Sequence, residues 1–177
     1  MDTRITNIVV TAKLSGTLNL KDVTTKLVGS VYDPEHFPAV RYKPDRKMPV
    51  SYLLYSTGSV VIAGCTSVDS AKERGDEIAK MLGLSIKDLT VRNVVGLARL
   101  NRELLLENVA KIEEDVDYAP DIFPGARLRI AGVVPTFLVF KSGSIVVAGS
   151  RSSQEFGESV TRLVKLFDDN KAVYKSV

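Results

Sequence analysis

The chain is poor in the residues that carry most protein chemistry. Its 177 residues include one cysteine, Cys65, and one histidine, His36. A single thiol cannot close an internal disulfide, which points to a reducing compartment. A lone histidine supplies no ligand set, and no His/Cys spacing of a metal site occurs, so no metal is expected. There is no glycine-rich phosphate loop and no acid–base constellation, so the expectation is no catalytic residue, no cofactor and no enzyme. No stretch approaches the roughly 18 consecutive apolar residues of a membrane-crossing helix. The opening "MDTRITNIVV" lacks the basic-then-apolar order of a signal peptide, so no membrane partner is expected. Cys65, just after a strand-ending glycine, reads as an unreactive small residue, and His36 as a surface or phosphate-side contact.

What is present is a core and a duplication. Hydrophobic residues make up 45% of the chain, enough for one ordinary domain or two small ones, and the net charge of +3 suits a polyanion without requiring one. "VYDPEHFPAV" (31–40) and "DYAPDIFPGA" (117–126) both spell Y-x-P-x-x-F-P, at an offset of 86 residues, the separation of Phe37 and Phe123. The same offset pairs Asn7 with Asn93, and Leu18, Leu20 and Val23 with Leu104, Leu106 and Val109. "YSTGSVVIAGCTS" (55–67) and "FKSGSIVVAGSRS" (140–152) match at 85. A motif this long recurring in register divides the chain into residues 1–86 and 87–177.

Each copy predicts the same order. A strand holding the Asn (4–11; 91–97) precedes a helix in "LNLKDVTTKLVG" or "NRELLLENVAKIEE". The Y-x-P-x-x-F-P turn leads to a strand (39–43; 126–130). A hairpin pair follows, 50–55 with 59–64 in the first copy, turning at Thr57-Gly58 or Ser142-Gly143. A second helix (68–82; 153–168) starts after an N-cap serine, Ser67 or Ser152. Runs of strands with segregated helices predict an α+β fold, an antiparallel sheet covered on one face.

Strand alternation sorts the faces. Ile8, Val10, Val60, Ile62, Val94, Ile145 and Val147 should meet the helices. Asn7, Val9, Thr11, Val61, Ala63, Asn93, Val95, Val146 and Ala148 share the other face, with Leu53, Tyr55, Leu138 and Phe140. That second face is expected to stay open and largely apolar, which calls for a partner. Arg41 and Lys43, matched by Arg127 and Arg129, are either solvated strand-edge cations or cations placed for phosphates. The acidic run Glu113, Glu114, Asp115 and Asp117, placed at a helix C-terminus where the dipole does not favour it, reads as a solvated face or a site for a basic partner.

The motifs "ITNIVVT", "VYDPEHFPAV", "LLYSTGSVVIAG", "VRNVVGL", "YAPDIFPG" and "FLVFKSGSIVVAGSRS" make the chain resemble the TATA-box-binding protein family over nearly its whole length. The resemblance implies two pseudo-symmetric repeats forming a saddle, one curved antiparallel β-sheet with helices on the convex face. It implies a transcription initiation factor that binds A/T-rich promoter DNA in the minor groove and bends it. Phe37 with Tyr55 and Phe123 with Phe140 would intercalate. Asn7, Val9, Leu53, Val61, Ala63, Asn93, Val95, Leu138, Val146 and Ala148 would lie on the groove floor. Arg41, Lys43, Arg127, Arg129 and Arg151 would bind phosphate. Ala119, Asp121 and Ile122 would meet a transcription factor IIB-like protein. IIA-like proteins, the RNA polymerase machinery and, without DNA, a weak homodimer through the concave face are further implied partners. The implied site of action is the nucleus, the place of viral transcription or, for an archaeal chain, the cytoplasm.

The chain departs from the family pattern in ways that bear on affinity. Tyr55 replaces a usual Phe, and Ala63 and Ala148 replace floor threonines. Ser59, Ser144 and Thr66 stand where Lys is usual. A smaller salt slope and relaxed sequence preference are expected. Pro38 and Pro124 make the two turns more alike, which would leave polarity on DNA to partners. The alternative reading is a related assembly protein with weak DNA binding.

Overall fold

The alternation of apolar residues becomes long antiparallel strands in the computed structural model, which describes residues 1–176. Along β1 (Asp2–Leu14), Ile8, Val10, Ala12 and Leu14 are buried while Asn7, Val9 and Thr11 remain half-buried. The first repeat continues with α1 (Leu20–Lys26), β2 (Val31–Tyr32), β3 (Ala39–Tyr42), β4 (Ser51–Tyr55), β5 (Ser59–Cys65) and α2 (Val68–Met81). The second runs β6 (Ile86–Arg99), α3 (Leu106–Val109), β7 (Asp115–Asp117), β8 (Gly125–Arg129), β9 (Thr136–Phe140), β10 (Ser144–Ser150) and α4 (Ser153–Asp169), closed by a 3-10 turn at Lys171–Val173.

These elements form two compact units, Asn7–Arg92 and Met1–Thr6 with Asn93–Val177. In the unit Asn7–Arg92 the strand order is β2-β3-β4-β5-β1, with the first half of β6 beside β1. Arg92 Nε donates to Thr11 Oγ1 at 2.8 Å across that last pair. In the other unit, β6 from Asn93 onward continues as β10-β9-β8-β7. The first residues of β1 lie on its free side, where Thr6 Oγ1 donates to the Val95 carbonyl at 3.2 Å.

In each unit the helices cover one sheet face. α2 packs on β5 and α4 on β10. Beneath them Val60, Ile62, Ile145 and Val147 are wholly buried. Phe137 and Phe167 anchor the unit that contains α4; burying such a ring stabilises by about 1.5–3 kcal/mol. Both long helices begin as expected: Ser67 accepts the Ser70 N–H and Ser152 the Glu155 N–H, each at 3.0 Å. α2 ends in a Schellman turn, with Gly83 at φ 71° and Leu84 N–H bonded to the Ala79 carbonyl.

The helix expected across 101–114 shrinks to the four residues of α3. Asn101 adopts a left-handed φ of 54°, and Leu104 forms a bridge to Tyr174 instead. Leu105 N–H bonds to the Val173 carbonyl at 2.7 Å and Lys175 N–H to the Glu103 carbonyl at 3.0 Å. The C-terminal segment thus captures the backbone groups that a helix would have used. Arg102 reinforces it, its guanidinium 4.0 Å from the centre of the Tyr174 ring. The acidic run is corrected with it: Asp115–Asp117 is an edge strand rather than a helix end.

Candidate nucleic-acid interface

The face left without helices carries the predicted floor residues. Asn7, Val9, Leu53, Val61 and Ala63 in one unit are all half-buried, as are Asn93, Val95, Leu138, Val146 and Ala148 in the other. Cross-strand register holds them together. Leu53 faces Val61, Leu138 faces Val146, and Val95 faces Ala148. Residues opposite each other on paired strands share a face, so each unit presents a continuous apolar floor.

The ring pairs meet at the floor's outer end in each unit. Phe37 and Tyr55 have centroids 6.4 Å apart at 59°, and Phe123 and Phe140 5.8 Å apart at 63°. The turns that carry the phenylalanines are built alike. Phe37 N–H bonds to the Asp33 carbonyl and Phe123 N–H to the Ala119 carbonyl, both at 2.9 Å. Behind the second pair sits Gly125, opposite Phe140. A Cβ there would lie 2.9 Å from Phe123 and 3.0 Å from Phe140, so only glycine admits this approach. Ala39 takes the corresponding place opposite Tyr55.

Phe123 also lines a hollow of about 310 Å³ with Asp117, Ala119, Ile122, Gly125, Arg127 and Leu138. Two of the three residues expected to meet a partner, Ala119 and Ile122, therefore adjoin residues expected to meet DNA. Asp121 is exposed outside that lining, and Ile122 is 87% exposed.

The five predicted phosphate cations fall into two states. Arg127 Nη2 lies 2.7 Å from Asp117 Oδ2, and Arg129 Nη1 lies 3.6 Å from Asp115 Oδ2. Arg151 is held by Glu155, 2.8 Å away, which also accepts the Arg151 backbone N–H. That contact raises the Arg151 pKa and lowers that of Glu155. Arg41 and Lys43 are exposed and have no carboxylate partner among the described residues. The Arg41 guanidinium sits instead 5.7 Å from the Phe37 ring centre.

Two cations escaped the sequence reading. Lys13 stands opposite Ser59, and Arg99 opposite Ser144, the serines at which the family usually has Lys. Both are exposed at the ends of their strands, on the phase of the open face. The offset of 86 that pairs Asn7 with Asn93 also pairs them, and that was the available signal.

A β-bulge lies beside each asparagine. Residues 63 and 64 stand against Val9, and residues 148 and 149 against Val95, with Gly64 at φ 92° and Gly149 at φ 97°. Asn7 Oδ1 accepts the Gly64 N–H at 2.8 Å, whereas Asn93 Oδ1 is buried without a hydrogen-bond partner.

His36 contacts Asp33, Nδ1 to Oδ2 at 2.9 Å, on the outside of its turn. Cys65 is buried in β5, and burial pushes its thiol pKa up, which keeps it protonated and inert. Among the described residues no His/Cys/Asp/Glu group could hold a metal, and no helix is long and apolar enough to cross a membrane.

The family described as transcription factor TFIID (or TATA-binding protein, TBP) matches residues 2–83 and 88–169. The TATA-box-binding protein of Thermococcus kodakarensis is 33% identical over 168 residues, covering 92% of this chain and 88% of its own. That of Pyrobaculum islandicum is 29% identical over 177 residues, covering 97% and 88%. Among solved structures, Methanococcus jannaschii TBP matches with a TM-score of 0.85 at 25% identity, covering 96% of this chain and 99% of that one.

Proposed function

Because the chain belongs to the TATA-binding protein family, it is a transcription initiation factor for TATA-type promoter DNA, and we propose that it lays the open sheet face of each unit into the minor groove. The observation that carries this mechanism is the uncovered apolar floor ending in a ring pair in both units. An A·T minor groove presents only acceptors, adenine N3 and thymine O2, and lacks the guanine amino group. Valine, leucine and alanine can press on such a floor, and the amides of Asn7 and Asn93 can donate to it. Phe37 with Tyr55 and Phe123 with Phe140 wedge into base steps, the apolar burial offsetting the unstacking. The family is one of DNA-binding transcription factors, not of enzymes.

Arg41, Lys43, Lys13 and Arg99 serve as phosphate cations, with Arg127, Arg129 and Arg151 recruited by exchange of their carboxylate partners for phosphate. Lys13 and Arg99 supply from the neighbouring strand the charge that Ser59 and Ser144 lack. Ala119, Asp121 and Ile122 receive a IIB-like factor, the 87% exposed Ile122 as its apolar contact. IIA-like factors and RNA polymerase join through such partners, and the archaeal relatives favour action in the cytoplasm.

One observation favours the second reading, an assembly protein with weak intrinsic DNA binding: three of the five expected phosphate cations already hold carboxylates. A mobility shift on a TATA duplex with a circularly permuted bend, with and without a IIB-like factor, decides between them. A shifted, bent complex without the factor is the expected result. No shift in either condition at low salt overturns the DNA-binding mechanism, and a shift only with the factor transfers the weight to assembly.

A further inference from the structure

We infer that the two asparagines do not read DNA equally: Asn7 is a fixed hydrogen-bond donor, with Gly64 as its positioning residue, whereas Asn93 can turn its amide either way. This rests on the minor-groove reading of the open face.

An asparagine side chain presents a donor at one end and an acceptor at the other, and its partners determine which end faces outward. For Asn7 the acceptor end is taken by the Gly64 N–H at 2.8 Å. Turning the amide over would break that bond and set two N–H donors against each other. It would leave the half-buried Gly64 N–H unpaired. Backbone of the neighbouring segment crowds the glycine. Its φ is 92°, and a Cβ at this position would lie 2.2 Å from the Pro49 carbonyl oxygen, so the residues leading into β4 close over the bulge. Asn7 therefore offers N–H groups to whatever lies on the open face.

The second unit repeats the asparagine, the bulge and the glycine but not the bond. Gly149 has the same left-handed backbone, yet a Cβ there would meet only Pro135 Cα at 3.9 Å. Nothing closes over this bulge as Pro49 does over the other, and Asn93 Oδ1 is left buried and unpaired. The inward oxygen has no protein partner, so no hydrogen bond holds the Asn93 amide in this orientation as one holds Asn7.

A guanine in the minor groove adds an N2 amino donor. Under Asn7 it meets a donor that cannot turn. Under Asn93 it meets an amide that can present its oxygen. The half-site beneath the Asn7–Arg92 unit is thus the stringent A·T reader, and the half-site beneath Asn93 tolerates a donor on the groove floor.

The test uses the full chain and a TATA duplex in which one adenine is replaced by 2,6-diaminopurine, which adds only the minor-groove amino group. A chemical nuclease on Lys141→Cys, in the unit of Asn93, reports orientation; buried Cys65 stays unlabelled. The amino group should cost about tenfold in affinity under Asn7 and under threefold beneath Asn93, and the complex should orient to place Asn93 over the modified half. Asn7→Asp keeps an acceptor for Gly64 but turns an acceptor outward, and should abolish the Asn7-side penalty. Without DNA, Asn7→Ala should speed hydrogen exchange at the Gly64 amide, while Asn93→Ala leaves Gly149 unchanged. Equal penalties in both halves, or unchanged exchange at Gly64 in Asn7→Ala, overturn the inference while leaving the function standing. Failure to bind the unmodified duplex overturns both.

Discussion

The helix-covered strand position that holds Val10 in the first repeat holds Gly96 in the second, and the helix position of Ala71 holds Phe156. A Cβ on Gly96 would lie 2.4 Å from Phe156, so the strand yields the volume that the helix fills. Gly75 in α2 lies against Ile62, and its counterpart Val160 belongs to a helix facing the smaller Val147. Buried volume has been exchanged between layers while the fold is kept, as dense interiors require. The edges diverge differently. Arg127 and Arg129 face Asp117 and Asp115, while the counterparts of those acids in the first repeat are Val31 and Gly29. The core positions differ under a volume constraint; the edge positions differ in charge, so the edge strands of the two units are electrostatically unlike.

The core exchange gives the largest effect. Phe156→Ala should cost about 3–5 kcal/mol by urea unfolding, and Gly96→Ala about 1–3 kcal/mol by overpacking. The double variant should be more stable than the summed singles by about 1 kcal/mol or more; strict additivity would show that the two positions do not compensate. Next come the rings. Phe123→Ala should reduce TATA affinity by roughly 10–100-fold, the equivalent of one buried ring, and should reduce bending far more than Arg129→Ala does. Equal losses of bending in the two variants would remove the wedge.

The edges give smaller changes. Arg41→Ala with Lys43→Ala, or Lys13→Ala with Arg99→Ala, should each flatten the salt dependence of DNA binding by about 1.8 in log–log slope. Asp115→Asn with Asp117→Asn should raise affinity a few-fold, roughly threefold, by freeing two arginines from exposed pairs. Loss of affinity in that acid-free variant would break the electrostatic contrast. The last effect is seen only at alkaline pH. Burial pushes the Tyr52 hydroxyl up to about 12, and burial with the Asp168 hydrogen bond does the same for Tyr174. Folded-state values raised above the ordinary 10.0 mean that this contribution is complete below pH 10 and is lost as pH rises toward 12. Thermal melts should fall across that window, with Tyr52→Phe and Tyr174→Phe each flattening the fall.

Much of this was legible because alternation and duplication are properties of the chain itself. The phase of Val60 and Ile62 against Val61 and Ala63 placed both faces, and two serines marked both long helices. The helix over 101–114 was misread because its apolar spacing is local, whereas the bridge from Leu104 to Tyr174 spans most of the repeat. The ion pairs of β7 with β8 were hidden because a three-residue edge strand has no periodicity of its own. Lys13 and Arg99 lie one strand away from the positions at which the family keeps lysine, so the resemblance does not point to them. The unlike states of Asn7 and Asn93 could not be read at all: the residues are identical, and only the reach of the chain near Pro49 separates them.

Met1–Thr6 groups with Asn93–Val177 rather than with the repeat it begins. A chain cut at the junction of its two sequence repeats would strip each compact unit of a strand segment. The duplication is still readable in the letters, but its products are no longer separable parts: each half is finished only by residues encoded in the other.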